Sequence, residues 1–391
     1  MSASVALQSA RLTPKSPFSH LNNMSQVLFL THRFWPSLGG TQTLAHEVAK
    51  RLVKRGYAVT VFTSAIDSNN LEEWKDGIRI QRFPRRNIVL ARPWYVTPGM
   101  VNSAVWSEFN ILHSFHFITF QSLLAATVRR ATRVPFIMTP SFHPWHGLYE
   151  DTVGTWVMRS ADGVIAQCEQ ERRNLLCYLD ERRMATIPCG IDSSRFRHLP
   201  EADDFRRKYG IDSRDKLILY VGYLSRHKGV PDLLHSMPKV LEKVPNAKLV
   251  LVGRGPAEEA ARQGSELGLS KALKVLGNLS DAELLEAYAS ADAFALLSHD
   301  ESFGIVLVEA AAAGIPIVST RVGVAEELIL DGVTGYVGDF SRDEFASRIS
   351  ETLCTESFRV NSEKRRDSIM QSFDWETVTT SIENVYRHHT R

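Results

Sequence analysis

Between Ser25 and Ser64 the chain spells a strand, a turn, a helix and a second strand. That order constrains the fold more than any other feature. "SQVLFL" and "AVTVFTS" are apolar runs of strand length. Between them, "TQTLAHEVAKRLVKRGY" places Leu44, Val48, Leu52 and Val53 on one helical face and stops at Gly56. A loop closing on Gly39-Gly40 joins the first strand to the helix. Strand, helix, strand is a βαβ unit, and such units build parallel sheets covered by helices on both faces.

The same alternation continues. "IRIQRF", "NILHSF", "FIMTP", "GVIAQC" and "ATIPCG" are further strands of a first doubly wound domain, with helical segments between several of them. The charged stretch from Arg195 to Asp212 carries a proline and reads as a linker running into a short helix. A second series follows. "KLILYVGYL", "AKLVLVGRG", "ALKVLGNL", "DAFALLS", "IPIVST" and "TGYVGD" are its strands; "GVPDLLHSMPKVLEKV", "DAELLEAYASA" and a helix starting near Gly304 are among its helices. The last segment predicts an amphipathic helix with Trp375, Val378, Ile382 and Val385 on one face. With 391 residues, the chain has room for about two domains of ordinary size. The expected boundaries are 24–198 for the first domain, 199–372 for the second and 373–391 for the terminal helix. Residues 1–23, rich in Ser, Asn and Pro, read as a disordered tail or a mis-chosen start.

Residues 1–200 hold 23 Lys and Arg against 14 Asp and Glu; the remainder holds 23 against 30. The basic half predicts an anionic partner there, a phosphate-bearing acceptor or an acidic membrane surface, with chance asymmetry as the alternative. Nothing approaches the roughly 18 apolar residues of a membrane span, and the N-terminus lacks the apolar core of a secretory signal. Cys168, Cys177, Cys189 and Cys354 have no metal-type spacing and predict free thiols in a reducing cytoplasm.

Ligands of doubly wound sheets sit at the carboxyl ends of the strands, so polar residues there are the candidates. Gly39-Gly40 lets backbone amides approach an anion, or is a plain tight turn. In "VGYLSRHKGV", Arg226 and Lys228 follow a strand; a guanidinium fork and an ammonium two residues apart suit a diphosphate. In "HDESFGIVLVEAAAAGIPIVST", Glu301 waits before a helix that starts near Gly304 and stops at Gly314-Ile315-Pro316. Glu309 lies on that otherwise apolar helix. Burying a carboxylate costs free energy unless something donates to it, and paired hydroxyls such as those of a ribose would do so; a cation from a neighbouring element, or solvent, is the alternative. His113, His116, His143 and His146 cluster in the first half without a ligand-like Cys or carboxylate partner. A polarising or hydrogen-bonding histidine facing the cleft is the better reading, not a metal site.

Taken together, "PCGID", "VGYLSRHKG", "GRGP", "GNLSDAELLEAYASAD" and "ESFGIVLVEAAAAGIPIVST" resemble the retaining GT-B-fold glycosyltransferases of the large nucleotide-sugar family numbered four. The resemblance runs over nearly the whole chain from Met24. It implies two Rossmann-like domains facing a cleft, with the terminal helix crossing back onto the first. It implies that Gly39 and Gly40 approach the transferred group and phosphates, and that Arg226 and Lys228 hold the donor diphosphate. Glu301 would bind hydroxyls of the donor sugar, with the Phe303, Gly304 and Ile305 backbone packed on sugar and phosphate. Glu309 would bind the ribose, Gly277, Asn278 and Leu279 would lie near the base, and His143 would sit by the donor sugar. Cys189 stands where the family usually has asparagine.

The implied reaction moves a hexosyl group from a nucleotide-diphosphate sugar to an acceptor hydroxyl, with retention and without metal or other cofactor. Aromatic-rich "RPWYVTPGMVNSAVW" and "FHPWHGLY" favour a lipid-linked or phosphate-bearing acceptor, with a soluble sugar as competitor. The expected setting is the cytoplasm, with peripheral membrane contact through the basic domain, and no nucleic acid partner. Rival readings are a nucleotide-sugar epimerase on the same fold and a non-catalytic nucleotide-sugar-binding subunit. A redox Rossmann enzyme is disfavoured by the missing glycine fingerprint.

Overall fold

The computed structural model describes residues 25–37, 39–66, 70–87, 95–101, 106–142 and 150–390. In chain order the first half carries strands β1 (Gln26–Leu30), β2 (Ala58–Ser64), β3 (Glu72–Lys75) and β4 (Ile78–Phe83). The short pair β5 (Arg86–Asn87) and β6 (Tyr95–Val96) follows, then β7 (Ile111–Phe115), β8 (Phe136–Thr139), β9 (Gly163–Ala166) and β10 (Met184–Thr186). Its helices are α1 (Gly40–Lys54), α2 (Phe120–Thr132), α3 (Thr155–Ser160) and α4 (Glu169–Leu175). The sheet order is β10-β9-β8-β7-β1-β2-β4-β3. All neighbours are parallel except β3, which pairs antiparallel with β4 at the edge. Every residue of β7 is buried, as expected for a parallel strand covered on both faces.

Two short helices, α5 (Ser193–Arg197) and α6 (Ala202–Lys208), occupy the charged stretch expected as a linker. The α6 residue Arg206 is buried and donates to the carbonyls of Asp212, Asp215 and Ser290 at 3.1, 3.0 and 2.8 Å, besides pairing with Asp292 at 2.9 Å. That guanidinium fastens the stretch to the second sheet, so it is not a loose tether.

The second half contains β11 (Lys216–Val221), β12 (Ala247–Val252), β13 (Leu273–Gly277), β14 (Ala293–Leu296), β15 (Ile317–Ser319) and β16 (Gly335–Val337). Around them lie α7 (Val230–Lys243), α8 (Ala257–Glu266), α9 (Asp281–Ser290), α10 (Ile305–Ala312) and α11 (Ala325–Leu328). Next come α12 (Arg342–Cys354), α13 (Glu356–Ser372) and α14 (Trp375–His389). The order β13-β12-β11-β14-β15-β16 is wholly parallel and reverses direction between β11 and β14. The first sheet reverses in the same way between β1 and β7. These are two doubly wound sheets of Rossmann type, and each reversal is a topological switch point.

The chain crosses between the domains twice, side by side. On the way out, Ile191 N donates to Phe373 O at 2.7 Å, and Ser193 Oγ bonds the Asp374 carboxylate. The "PCGID" segment is therefore part of the crossing. A Cβ on Gly190 would lie 2.4 Å from the Trp375 ring, so only glycine lets the ring pass this close. On the way back, α14 lies on α1. It buries Trp375, Val378, Ile382 and Tyr386. Tyr386, not the expected Val385, completes the face, because its hydroxyl reaches His113 in the first sheet at 2.5 Å. On α1, Val53 is likewise only half-buried, while Leu44, Val48 and Leu52 are fully so. Arg55 pairs with Glu376 at 2.7 Å and Glu383 at 3.0 Å, and Tyr57 donates to Glu383 at 3.0 Å. One apolar cluster consequently runs from Val27, Phe29 and Leu52 through Ile191, Phe196 and Trp375 into Leu219 and Val250.

Candidate active site

The two loops leaving the second switch point, 222–229 after β11 and 297–304 after β14, are cross-tied. His299 N donates to His227 O at 3.1 Å, and Lys228 Nζ donates to Asp300 O at 3.0 Å. The same ammonium lies 2.9 Å from Glu301 Oε1. Gly229 has a φ of 72°, and a Cβ there would fall 1.8 Å from Leu297 O. Any side chain would push the loops apart, so the glycine sets the distance between Lys228 and Glu301. Arg226 is exposed on the first loop.

Gly304, at a φ of 82°, is the N-cap of α10, which begins at Ile305. No acidic side chain occupies the first turn, so its leading amides carry the partial positive charge of a helix start. Phe303 is buried and its carbonyl accepts from Val324 N at 2.8 Å, which fixes the loop from behind.

Glu309 lies on α10 and meets Tyr288 of α9. Tyr288 donates to Glu309 Oε2 at 2.7 Å. Burial raises the carboxyl pKa above its ordinary range, while the Tyr288 hydroxyl and the nearby Arg195 charge pull the other way. Cys189 also lies close: burial, and then the Glu309 charge, push its thiol up to about 12. No described residue donates a hydrogen bond to Glu309 Oε1. The expected alternatives were a ribose, a cation and solvent; the partner in hand is a tyrosine hydroxyl, with Arg195 from the crossing segment nearby.

Gly277 ends β13, and Asn278 and Leu279 follow at the same sheet edge. Gly277 O accepts from Gly253 N at 2.6 Å, Asn278 is exposed and Leu279 half-buried. Ser280 then starts α9 with a capping box to Glu283. Arg195 Nη2 donates to Asp281 O at 3.3 Å, joining this edge to the crossing segment.

At the first switch point, Gly39 caps α1 and Gly40 is its first residue, with open space where a Cβ would stand. Thr41 Oγ1 lies 3.3 Å from Ser141 Oγ, which donates to Gln167 at 3.1 Å. Glu171 is buried, accepting from Phe142 N and Gln167 N, both at 2.6 Å. The expected histidine cluster divides. His113 does not face the cleft: it is fully buried between Tyr386 and Thr139, and burial holds its pKa down at about 3, so the ring is neutral. His116 follows β7 in the left-handed region, its ring 4.8 Å from that of His32. His143 and His146 lie outside the described residues, as does most of "FHPWHGLY".

Between the domains is a cleft. Phe142, Gln170, Glu171 and Asn174 line it from the first domain; His299 to Ser302, Arg321 and Val322 line it from the second. Gln170 Nε2 donates to Arg321 O at 3.0 Å, Glu169 N to Glu327 at 2.7 Å, and Arg173 pairs with Glu326 at 2.8 Å. Sequence reasoning missed Asn174 and Arg321. Arg321 sits just past β15, at the ligand-binding edge, and that position was a usable signal. Asn174 lies within a helix and gave none.

Among the described residues no cluster of His, Cys, Asp and Glu is arranged to hold a metal ion, and no helix is long and apolar enough to cross a membrane. The four cysteines form no disulfide.

The profile of the family "Glycosyltransferase Family 4" matches residues 38–195, and that of "Glycosyl transferases group 1" matches 201–369. An uncharacterized glycosyltransferase of Methanocaldococcus jannaschii is 26% identical over 93% of this chain and 98% of its own. A D-inositol 3-phosphate glycosyltransferase of Corynebacterium jeikeium is 29% identical over 89% and 91%. Among solved structures, Anabaena HepE in complex with UDP superposes with a TM-score of 0.77 at 22% identity, covering 93% of this chain and all of that one.

Proposed function

Because the chain belongs to the group 1, family 4 glycosyltransferases, which transfer sugar from a nucleotide sugar, we propose the following reaction. A hexosyl group passes, with retention and without a metal ion, from a nucleoside-diphosphate hexose to a hydroxyl of a phosphate-bearing or lipid-linked acceptor. The observation that carries the donor assignment is the meeting of Lys228, Glu301 and the Gly304 helix start at one switch point, with Glu309 on the same helix.

Breaking the anomeric bond leaves negative charge on the diphosphate. Lys228, Arg226 and the leading amides of α10 supply positive charge where it develops. Glu301 orients the hexose through its hydroxyls; it is not assigned as a nucleophile or base. Glu309 takes the ribose hydroxyls on Oε1 while Tyr288 holds Oε2. Gly277, Asn278 and Leu279 border the base, Gly39 and Gly40 approach the transferred group from the first domain, and His143 sits by the donor sugar. Closure of the cleft excludes water from the reacting bond.

The phosphate-bearing acceptor is supported by the relatives named for D-inositol 3-phosphate. A lipid-linked acceptor is supported by Val153 and Trp156, exposed on the first domain, and would bring that domain to a membrane face. The test is a binding screen of nucleotide sugars, followed by mass analysis of products with lipid, sugar and sugar-phosphate acceptors. A product heavier by one hexosyl unit is expected. Binding without transfer to any acceptor would contradict the transferase reading.

A further inference from the structure

Lys228 and Glu301 are assigned to different parts of one donor, the ammonium to the diphosphate and the carboxylate to the hexose. Here they hold each other at 2.9 Å, with the side chains 25% and 18% exposed. The pair is shielded enough for the attraction to matter and open enough for a ligand to displace it. It is not a chance meeting of two mobile chains. Both loops are tied together by His299 N to His227 O, and Ser298 Oγ holds the Asp300 carbonyl at 2.8 Å. That same carbonyl accepts from Lys228. The Asp300 carboxylate lies instead 3.9 Å from His227 Nε2. Glu301 Oε1, 2.9 Å from Lys228 Nζ, stands where a phosphate oxygen would stand against the ammonium.

Resting on the donor assignment above, we infer that Glu301 is an internal stand-in for the donor diphosphate. It thereby makes the site favour the sugar nucleotide over the bare nucleoside diphosphate left after transfer. A nucleoside diphosphate alone takes Lys228 from Glu301 and leaves that carboxylate unpaired beside a polyanion. A sugar nucleotide takes Lys228 but brings hydroxyls that donate to Glu301. The exchange is balanced for the substrate and unbalanced for the product. Once the hexose has moved to the acceptor, Glu301 loses its donors, returns to Lys228 and displaces the diphosphate. Discrimination comes from a penalty on the wrong occupant as much as from contacts to the right one.

The test is calorimetric titration of UDP, GDP and ADP into the wild-type chain, Glu301→Gln, Lys228→Gln and the double variant, each checked by circular dichroism. Glu301→Gln should bind nucleoside diphosphate roughly two- to fivefold more tightly, the size expected for releasing a partly exposed ion pair. In the Lys228→Gln background the gain should vanish. If Glu301→Gln does not fold, Glu301→Ala takes its place with the same expectation. Unchanged or weaker binding overturns the inference. Equal tightening in both backgrounds also overturns it, because charge alone would then explain the effect. A wild-type chain that binds none of the three overturns the donor assignment and the inference together; binding without tightening overturns the inference alone.

Discussion

The two switch points share a topology but hold their polar groups in opposite ways. At the second, Lys228 pairs with Glu301, which lines the cleft, and both side chains are partly exposed. At the first, Glu171 is sealed by two backbone amides, and His113 sits neutral in the core between Tyr386 and Thr139. Polar groups bonded to backbone and buried aromatics stabilise a shape; charges paired at a rim are available for exchange. On the proposed donor assignment, the second sheet edge keeps its charges open to an anion, while the described part of the first anchors the terminal helix and frames the cleft.

The charge map changes meaning in this light. The first half is basic by count, yet Arg55 is answered by Glu376 and Glu383, and Arg173 by Glu326. All three acids belong to the second half of the chain. Part of the excess that pointed to an external anion is therefore used within the molecule, across the crossing and beside the cleft.

If the first domain's role here is anchoring, the largest loss of stability should come from Trp375. Trp375→Ala should lower the unfolding free energy by about 3–5 kcal/mol, the usual cost of removing a buried aromatic, as read in urea titration. A loss below ~1 kcal/mol would break the comparison. Lys228→Ala should do the reverse, lowering turnover by about 10²–10³-fold with an unchanged melting temperature. Wild-type turnover in that variant would remove Lys228 from the diphosphate.

His113 sharpens the contrast through pH. Its pKa is near 3 in the fold against an ordinary 6.5, so between those values the unfolded chain binds the extra proton. The stability it contributes is present above pH 6.5 and is lost as pH falls toward 3, by an amount of order a few kcal/mol. In His113→Gln this part of the slope of unfolding free energy with pH should disappear; an unchanged slope would show that other groups govern it. Glu309 carries the smallest effect and the opposite sign. Its pKa is raised, so protonation as pH falls relieves the cost of burial and spares the fold, but would remove the acceptor proposed for the ribose. Affinity for nucleoside diphosphate should fall on acidification, and Glu309→Gln should weaken it about fivefold to tenfold at neutral pH. Equal affinity in wild type and variant would contradict the ribose assignment.

Much of this architecture was legible because strands buried on both faces write continuous apolar runs. Even the Gly304 start and the Gly314 stop of α10 could be placed. The antiparallel β3 was not seen, although the Asp76-Gly77 turn before β4 was a signal for it. Helices α12 and α13 also went unread; α13 buries few residues, Phe358, Ser362, Ile369 and Met370 among them, so its period is faint. For the site, sequence order located the loops but not their partners. That Lys228 meets Glu301, that Tyr288 meets Glu309 and that His113 turns inward depend on contacts 73, 21 and 273 residues apart in sequence. No local pattern encodes such pairings.

On the proposed donor assignment, the second switch point holds a nucleoside diphosphate between Lys228 and Glu309. The most direct measurement is a crystal structure with the nucleoside diphosphate that the binding screen selects. It should place a phosphate oxygen within hydrogen-bond distance of Lys228 Nζ and ribose hydroxyls on Glu309, with the Lys228–Glu301 pair parted. A nucleotide bound elsewhere, or bound with that pair intact, would contradict the account.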